Sequence, residues 1–290
     1  PDVSSPPVFL RASASVSMTD SISARLLRAV GGVPLAVVLA TLLAAPATAQ
    51  DRLRADAPDD WLIQDATVLT VTNGTIENGD ILVRDGDIAR VGTNLSAPSG
   101  AEVYDASGEY VMPGIIEAHQ HIAISNVNEA TNQVTAEVGV GDVLNPYDIG
   151  IYRALAGGVT TVHVMHGSAN PIGGRNETIK LRYGVTDPQG LKMEGAPRTV
   201  KFALGENPTR VYGQGRDQQP RTRMGVEQVI REALRKAERY AEAKEAYENG
   251  ERDRPPEHSE RMEVLAGVLS GDVIVQCHSY RADEILMLMR

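Results

Sequence analysis

Two histidines set two residues apart carry the strongest chemical signal in the sequence. His119 and His121 follow the apolar pair Ile115-Ile116, which predicts a strand ending at the histidines. Positions i and i+2 of a strand point to the same side, so the two imidazoles could bind one divalent ion together. An incidental pair in an exposed loop has the same spacing, and the surrounding sequence must distinguish the two interpretations.

The sequence after Pro113-Gly114 alternates short apolar runs with helical patterns, which predicts parallel strands in βα units around a barrel. Asp148 is a candidate N-cap and Gly157 a candidate C-cap of one helix. An apolar stripe over residues 226–247 predicts an outer amphipathic helix. The predicted buried strands cover residues 159–165, 200–204 and 273–277.

Residues 61–111 have a different texture, in which short alternating apolar runs are separated by turn-forming dipeptides. Asn73-Gly74, Asn78-Gly79 and Asp85-Gly86 are typical of tight hairpin turns. This segment therefore predicts a small β-domain ahead of the barrel.

Taken together, these motifs resemble the amidohydrolase superfamily, and in particular its imidazolonepropionase-like, prolidase-like branch. The resemblance rests on Asp85-Gly86-Asp87-Ile88, on Tyr110-Val111-Met112-Pro113-Gly114 and on His119-x-His121. It implies an α/β chain with an incomplete (β/α)8 TIM barrel preceded by a small β-sandwich domain. Residues 50–112 would form the N-terminal part of the small domain, and residues 113–290 the first five barrel strands.

The resemblance also implies further metal ligands on the fourth and fifth barrel strands. His278, at the end of the fifth, would be the third histidine, although a lone strand-end histidine is often surface. Lys201, which relatives carboxylate with carbon dioxide, is preferred as the bridging ligand over Glu206, and a simple Lys201–Glu206 ion pair is the alternative. The general-base aspartate is expected beyond the C-terminus of this chain, which alone is expected to be inactive.

A second set of residues could contact the substrate. The spacing of His163 and His166 suits joint metal ligation poorly, so His166 is interpreted as a substrate contact, with a structural hydrogen-bonding role open for either. Arg175 and Arg210 lie in segments that resemble βα loops at the active-site mouth. Either could hold a substrate carboxylate or fasten its loop.

For the full-length protein, these features predict hydrolysis of carbon–nitrogen bonds by metal-activated water, with one or two zinc ions per chain. A small-molecule amide or a peptide would be the substrate, and a homo-oligomer is possible. One alternative is a mononuclear deaminase of the same superfamily. The other is a non-catalytic relative used as an interaction module, against which the intact His119 and His121 argue.

The N-terminal residues predict export. Arg25 and Arg28 precede an apolar run over residues 33–45, and Ala47-Thr48-Ala49 is typical of a signal-peptidase site, so residues 1–49 are interpreted as upstream sequence and a signal peptide. A periplasmic or secreted protein without a stable membrane anchor would result, while an uncleaved signal anchor is the alternative. The formal net charge of −10 disfavours nucleic acid as a partner.

Overall fold

The computed structural model describes residues 60–290, which begin with a small five-stranded sheet. Its strands are β1 (Asp60–Leu69), β2 (Thr75–Arg84), β3 (Asp87–Gly92), β4 (Glu102–Asp105) and β5 (Tyr110–Val111). They are ordered β3-β2-β1-β4, and β5 also pairs with β1. Ala66, Val68, Ile81 and Ala106 form its buried cluster. The described residues form one sheet here, so the two-sheet sandwich stays a prediction.

The turn between β2 and β3 confirms a hairpin that was predicted from the sequence. Arg84 pairs with Asp87, which leaves Asp85 and Gly86 as a two-residue loop. Their φ angles are 52° and 84°. Positive φ at both positions matches the twist of the flanking strands and favours an Asp-Gly pair.

Six further strands form two three-stranded sheets that meet at Asn176. They are β6 (Ile115–Gln120), β7 (Val159–Val164), β8 (Ile172–Arg175), β9 (Glu177–Lys180), β10 (Thr199–Ala203) and β11 (Ile274–His278). As predicted, β6 is parallel to β7, and β10 is parallel to β11.

The segment that lies between β7 and β10 departs from the predicted parallel arrangement. β9 is antiparallel to β7, and β8 is antiparallel to β10. β8 does not pair with β7 but lies in the neighbouring sheet beside β10. The interpretation of residues 172–175 as loop is therefore wrong, and the strands of residues 60–290 do not close a barrel.

Five α-helices accompany these strands within residues 60–290. They are α1 (Ile149–Ala156), α2 (Glu206–Thr209), α3 (Arg223–Glu248), α4 (Glu260–Ser270) and α5 (Ala282–Leu288). The Asp148 side chain accepts a hydrogen bond from Gly150 N and Gly157 ends α1, so both predicted caps are confirmed.

The main core forms where α3 and α4 pack on β10. Val226, Ile230, Ala233 and Ala237 of α3 are buried in one cluster with Val200 and Phe202 of β10. The helical spacing of these four residues confirms the predicted stripe. Val200 and Phe202 point outward into this core, so Lys201 must point to the other face of the strand.

The predicted signal peptide lies outside the described residues. Within residues 60–290, no helix has both the length and the apolar character that a bilayer span requires.

Candidate metal centre

The two histidines lie at the end of β6 and face each other. His119 Nε2 and His121 Nε2 are 3.2 Å apart. His121 Nδ1 lies 2.8 Å from the carbonyl oxygen of Met165, and because a carbonyl accepts hydrogen bonds, Nδ1 must carry the proton and donate. The bond leaves the lone pair on His121 Nε2, which is the atom that faces His119.

Burial and neighbouring positive charges disfavour the protonated form of the His119 ring. Burial lowers the pKa of His119, and the nearby Lys201 and His121 lower it further, while Glu117 opposes them. A neutral imidazole is the form that binds a metal.

Lys201, the predicted bridging ligand, is buried beside His119. Its side chain is 2% exposed, and its Nζ lies 3.5 Å from His119 Nε2 and 3.4 Å from Met165 Sδ. Burial lowers the pKa of Lys201, which favours the neutral amine that carbamate formation requires.

Glu206, the alternative bridge, lies beyond the end of β10. It is the exposed first residue of α2. No salt bridge joins it to Lys201 within residues 60–290, so the ion pair considered as an alternative does not form there.

His278 ends β11 on the same face as Lys201. Ala203 is paired with His278 and Lys201 with Gln276, and directly paired residues share a face. Burial lowers the pKa of His278, Lys201 lowers it further, and Glu206 and Glu284 raise it. Its Nε2 is buried and has no hydrogen-bond partner among the described residues.

The donor set fits a borderline metal such as zinc. Two nitrogens bound tetrahedrally at about 2.0–2.1 Å from one zinc ion stand roughly 3.3–3.4 Å apart, near the observed separation of the two Nε2 atoms. The unpaired Nε2 of His278 marks a further ring with unused bonding capacity. However, no three His, Cys, Asp or Glu side chains of residues 60–290 converge closely enough to hold an ion. The histidine pair with Lys201 is therefore the part of the centre brought together here.

The structure gives His166 the structural hydrogen-bonding arrangement that the sequence analysis left open, and the substrate contact stays a prediction. His166 is 3% exposed, its Nε2 accepts from Glu129 N at 2.8 Å, and its Nδ1 donates to the carbonyl oxygen of Gly167 at 3.0 Å. Both ring nitrogens are satisfied by backbone groups, which fixes a neutral ring protonated at Nδ1. His166 is a structural residue that holds the loop after β6 to the end of β7.

His163 likewise has a structural role. Its Nδ1 lies 2.9 Å from Thr178 Oγ1 and its Nε2 lies 3.0 Å from Thr199 Oγ1. Asn176 joins the same network, since its Nδ2 donates to Thr199 Oγ1 and its Oδ1 accepts from His166 N. These bonds connect β7, β9 and β10 close to Lys201.

A buried anchor that the sequence analysis missed fixes the loop over residues 121–148. Asn170 Nδ2 contacts the carbonyl oxygens of Glu129 and Asn132, and Tyr212 OH donates to the same Asn132 oxygen at 2.5 Å. Tyr212 lies in a π-helical turn, Arg210–Gln214. Burial raises the pKa of Tyr212 to about 12. No periodic pattern in the sequence indicates such a turn.

Arg175 and Arg210, the two arginines predicted to contact the substrate, lie in different parts of the fold. Arg175 is paired with Val200 on the outward face of β10 and lines a cleft of about 180 Å³ near Thr199 and Val273, where β10 and β11 begin. It contacts Asp142 at 3.6 Å and is not brought to the histidines, which lie where the parallel strands end. Arg210 is exposed and follows α2, beyond the end of β10.

Comparison with known proteins identifies the family of the chain. No protein-family model matches the chain. Over 234 residues it is 31% identical to amidohydrolase tasK from Hapsidospora irregularis, an alignment that covers 71% of this chain and 24% of tasK. A crystal structure of an amidohydrolase from Thermotoga maritima MSB8 matches with a TM-score of 0.73 at 38% identity, covering 79% of this chain and 60% of that one. The chain belongs to the amidohydrolase superfamily.

This superfamily member also resembles D-hydantoinase from Geobacillus stearothermophilus, with 37% identity over 101 residues that cover 35% of the chain and 18% of the hydantoinase. The chain thus spans about a quarter of the length of tasK and less of the hydantoinase. The likeness to the imidazolonepropionase-like, prolidase-like branch stays a prediction.

Proposed function

We propose that the protein containing this chain is a metal-dependent hydrolase of carbon–nitrogen bonds. The observation that carries the proposal is the pair of facing Nε2 atoms, 3.2 Å apart, beside the buried amine of Lys201. His119, His121, Lys201 and His278 would hold the ion, for which zinc suits the nitrogen donors.

A divalent ion at this position would polarise a substrate carbonyl and make a water molecule more acidic. The residues of the chain prepare the site for it. Met165 holds His121 in the tautomer whose Nε2 lone pair is free. The lowered pKa of Lys201 increases the share of neutral amine, whose nitrogen can attack carbon dioxide and lose a proton to give an anionic carbamate.

The proposed substrate is a small amide, with a cyclic amide, an N-acyl amino acid and a short peptide as the chemical types to be tried. Amidohydrolase tasK and D-hydantoinase support this chemistry by their names. Arg210, which is exposed beyond the same strand end as the proposed ligands, is the candidate contact for a substrate carboxylate.

The test is the metal content of the natural full-length protein, measured by elemental mass spectrometry. The wild type is compared with a His119→Ala, His121→Ala double variant and with His258→Ala, a control at an exposed histidine that bonds Glu260. About two zinc ions per chain, lost in the double variant and kept in the control, would support the hydrolase with Lys201 as bridge. One ion would favour the mononuclear deaminase, and none would favour a non-catalytic relative.

We further propose that the protein is exported, on the basis of the apolar run over residues 33–45 and the Ala47-Thr48-Ala49 site. Mass spectrometry of the mature protein should find Gln50 at its N-terminus. A mature chain that retains residues 33–49 would contradict cleavage.

A further inference from the structure

The proposed ligands belong to two different sheets. His119 and His121 lie at the end of β6, in the sheet β6-β7-β9, whereas Lys201 lies on β10, in the sheet β11-β10-β8. Within residues 60–290, no strand ladder pairs β7 with β10. The separation of Lys201 Nζ from His119 Nε2, which is 3.5 Å, therefore depends on what joins the two sheets.

The join is built around the hydroxyl of Thr199, which is 6% exposed. Thr199 precedes Lys201 by two residues on β10, so the two side chains point to the same face of the strand. Its Oγ1 lies 3.0 Å from His163 Nε2 on β7 and accepts a hydrogen bond from Asn176 Nδ2 at 2.8 Å. A hydroxyl can donate one hydrogen bond and accept others, so Thr199 serves both partners at once.

His163 carries the join into the sheet of the histidine pair. Its Nδ1 lies 2.9 Å from Thr178 Oγ1, at the directly paired position of β9. Burial lowers the pKa of His163, and Lys201 and His119 lower it further. The ring therefore lies within electrostatic reach of one proposed ligand from each sheet.

Asn176 strengthens the join from the point at which the chain passes from β8 to β9. Its backbone N donates to the carbonyl oxygen of Thr199 at 3.0 Å, and its side chain bridges Thr199 Oγ1 and His166 N. Thr199 is thus held through its backbone and its side chain alike. The hydrogen bonds among Thr199, His163 and Asn176 form a seam between the two sheets.

We propose that this seam sets the position of Lys201 relative to His119, and that Thr199 is a positioning residue of the metal centre. The Lys201 amine has only His119 and Met165 as hydrogen-bonding neighbours among the described residues, so its place depends on where the seam holds β10. A metal centre needs its ligands within about 0.5 Å of the productive geometry. This role rests on the function proposed above.

The first test compares crystal structures of the metal-free, natural full-length protein and its variants. Thr199→Val keeps the shape of the side chain and removes the hydroxyl, which leaves His163 Nε2 and Asn176 Nδ2 without this partner. The distance from Lys201 Nζ to His119 Nε2 should grow by about 1 Å or more in Thr199→Val. It should stay near the wild-type value in Thr199→Ser, which keeps the hydroxyl. An unchanged distance in Thr199→Val would overturn the proposal, whatever the metal measurements show.

The second test measures zinc affinity by competition with a chromophoric chelator. Thr199→Val should weaken zinc binding about tenfold or more, as the loss of outer partners of metal ligands typically does, and Thr199→Ser should restore it. Thr135→Val is the matched control, because Thr135 is 1% exposed and its hydroxyl donates to the Glu129 carbonyl oxygen, outside the seam. The control should lose stability as Thr199→Val does but bind zinc as the wild type does.

The outcomes separate the two proposals. Equal zinc affinities of Thr199→Val and Thr135→Val would overturn the role of Thr199 while leaving the hydrolase intact. Wild-type protein that binds no zinc would contradict the proposed function, and the Lys201–His119 distance would then decide on the seam alone. If Thr199→Val does not fold, His163→Met breaks the seam from the side of β7 and gives both readouts.

Discussion

The buried ring of His166 links the stability of the protein to pH. Burial lowers the pKa of His166 below its ordinary value of 6.5. Below pH 6.5, the unfolded chain therefore binds more protons at this residue than the folded chain does. Its contribution to stability is complete above pH 6.5 and is lost as the pH falls toward the lowered folded pKa.

We expect His166→Gln to reduce the pH dependence of the free energy of unfolding between pH 7.5 and 5.5, although it lowers stability at pH 7.5. Urea unfolding followed by circular dichroism at several pH values measures both effects. His258→Gln, at an exposed position, is the control and should keep the wild-type slope. An unchanged slope in His166→Gln would show that His166 does not titrate as described.

Replacing Lys201 should lower metal binding without lowering the stability of the metal-free protein. Its amine is buried with His119 and Met165 as its hydrogen-bonding neighbours and has no carboxylate partner within residues 60–290. Lys201→Met keeps the volume and removes the amine, so metal-free stability should stay within about 1 kcal/mol or rise. Metal content should fall. Lys236→Met, on the exposed face of α3, should leave metal content unchanged.

At the level of elements, the two glycines of β8 make room for His166. A Cβ on Gly173 would lie 2.5 Å from His166 Nδ1, and one on Gly174 would lie 2.8 Å from Val138 Cγ2. Gly173→Ala should therefore destabilise the fold by about 1–3 kcal/mol, as overpacking typically does. Gly157→Ala is the control, because its added Cβ meets its first neighbour at 3.4 Å. Equal loss in both variants, measured by urea unfolding, would contradict the steric argument.

These glycines also show where sequence reasoning reached its limit. Caps, hairpin turns and apolar stripes are local, so Asp148, Asp85-Gly86 and the face of α3 were predicted correctly. Gly173-Gly174 was interpreted as a loop, because the neighbours that leave no room for a side chain, the His166 ring at Gly173 and Val138 with that ring at Gly174, come together only in three dimensions. The same holds for Glu284, whose partners Arg223 and Gly205 lie far away in the sequence.

The candidate site likewise contains features that follow from local sequence and features that depend on the fold. His119 and His121 were predicted as metal ligands from their spacing, the strand before them and the family resemblance. The structure brings their Nε2 atoms together beside Lys201, and their role as ligands stays a prediction. For His166 and Arg175 the sequence left a substrate contact and a structural role open, because the choice depends on which strand end each residue occupies. An antiparallel β8 places Arg175 beside Val200 rather than near the histidines.

At the level of the whole molecule, metal binding should appear as stability. If zinc binds the folded protein alone, zinc at about 100 times its dissociation constant adds about 2.7 kcal/mol to the free energy of unfolding. Thermal unfolding of the natural protein should shift upward with zinc and return after EDTA treatment. The His119→Ala, His121→Ala variant should show no shift, and a shift of wild-type size in that variant would place the ion elsewhere.

The antiparallel segment between β7 and β10 also bears on the order in which the chain folds. β7, β9, β8 and β10 are neighbours in space and lie within residues 159–203, whereas β11 pairs with β10 across residues 204–273. Short loops cost less entropy to close, so the β7–β9 pairing should form before β11 docks. Pulse-labelled hydrogen exchange during refolding should find the amides of β9 protected ahead of those of β11. Chains interrupted early in refolding would then have the β7–β9 pairing while β11, which carries His278, has not yet docked on β10.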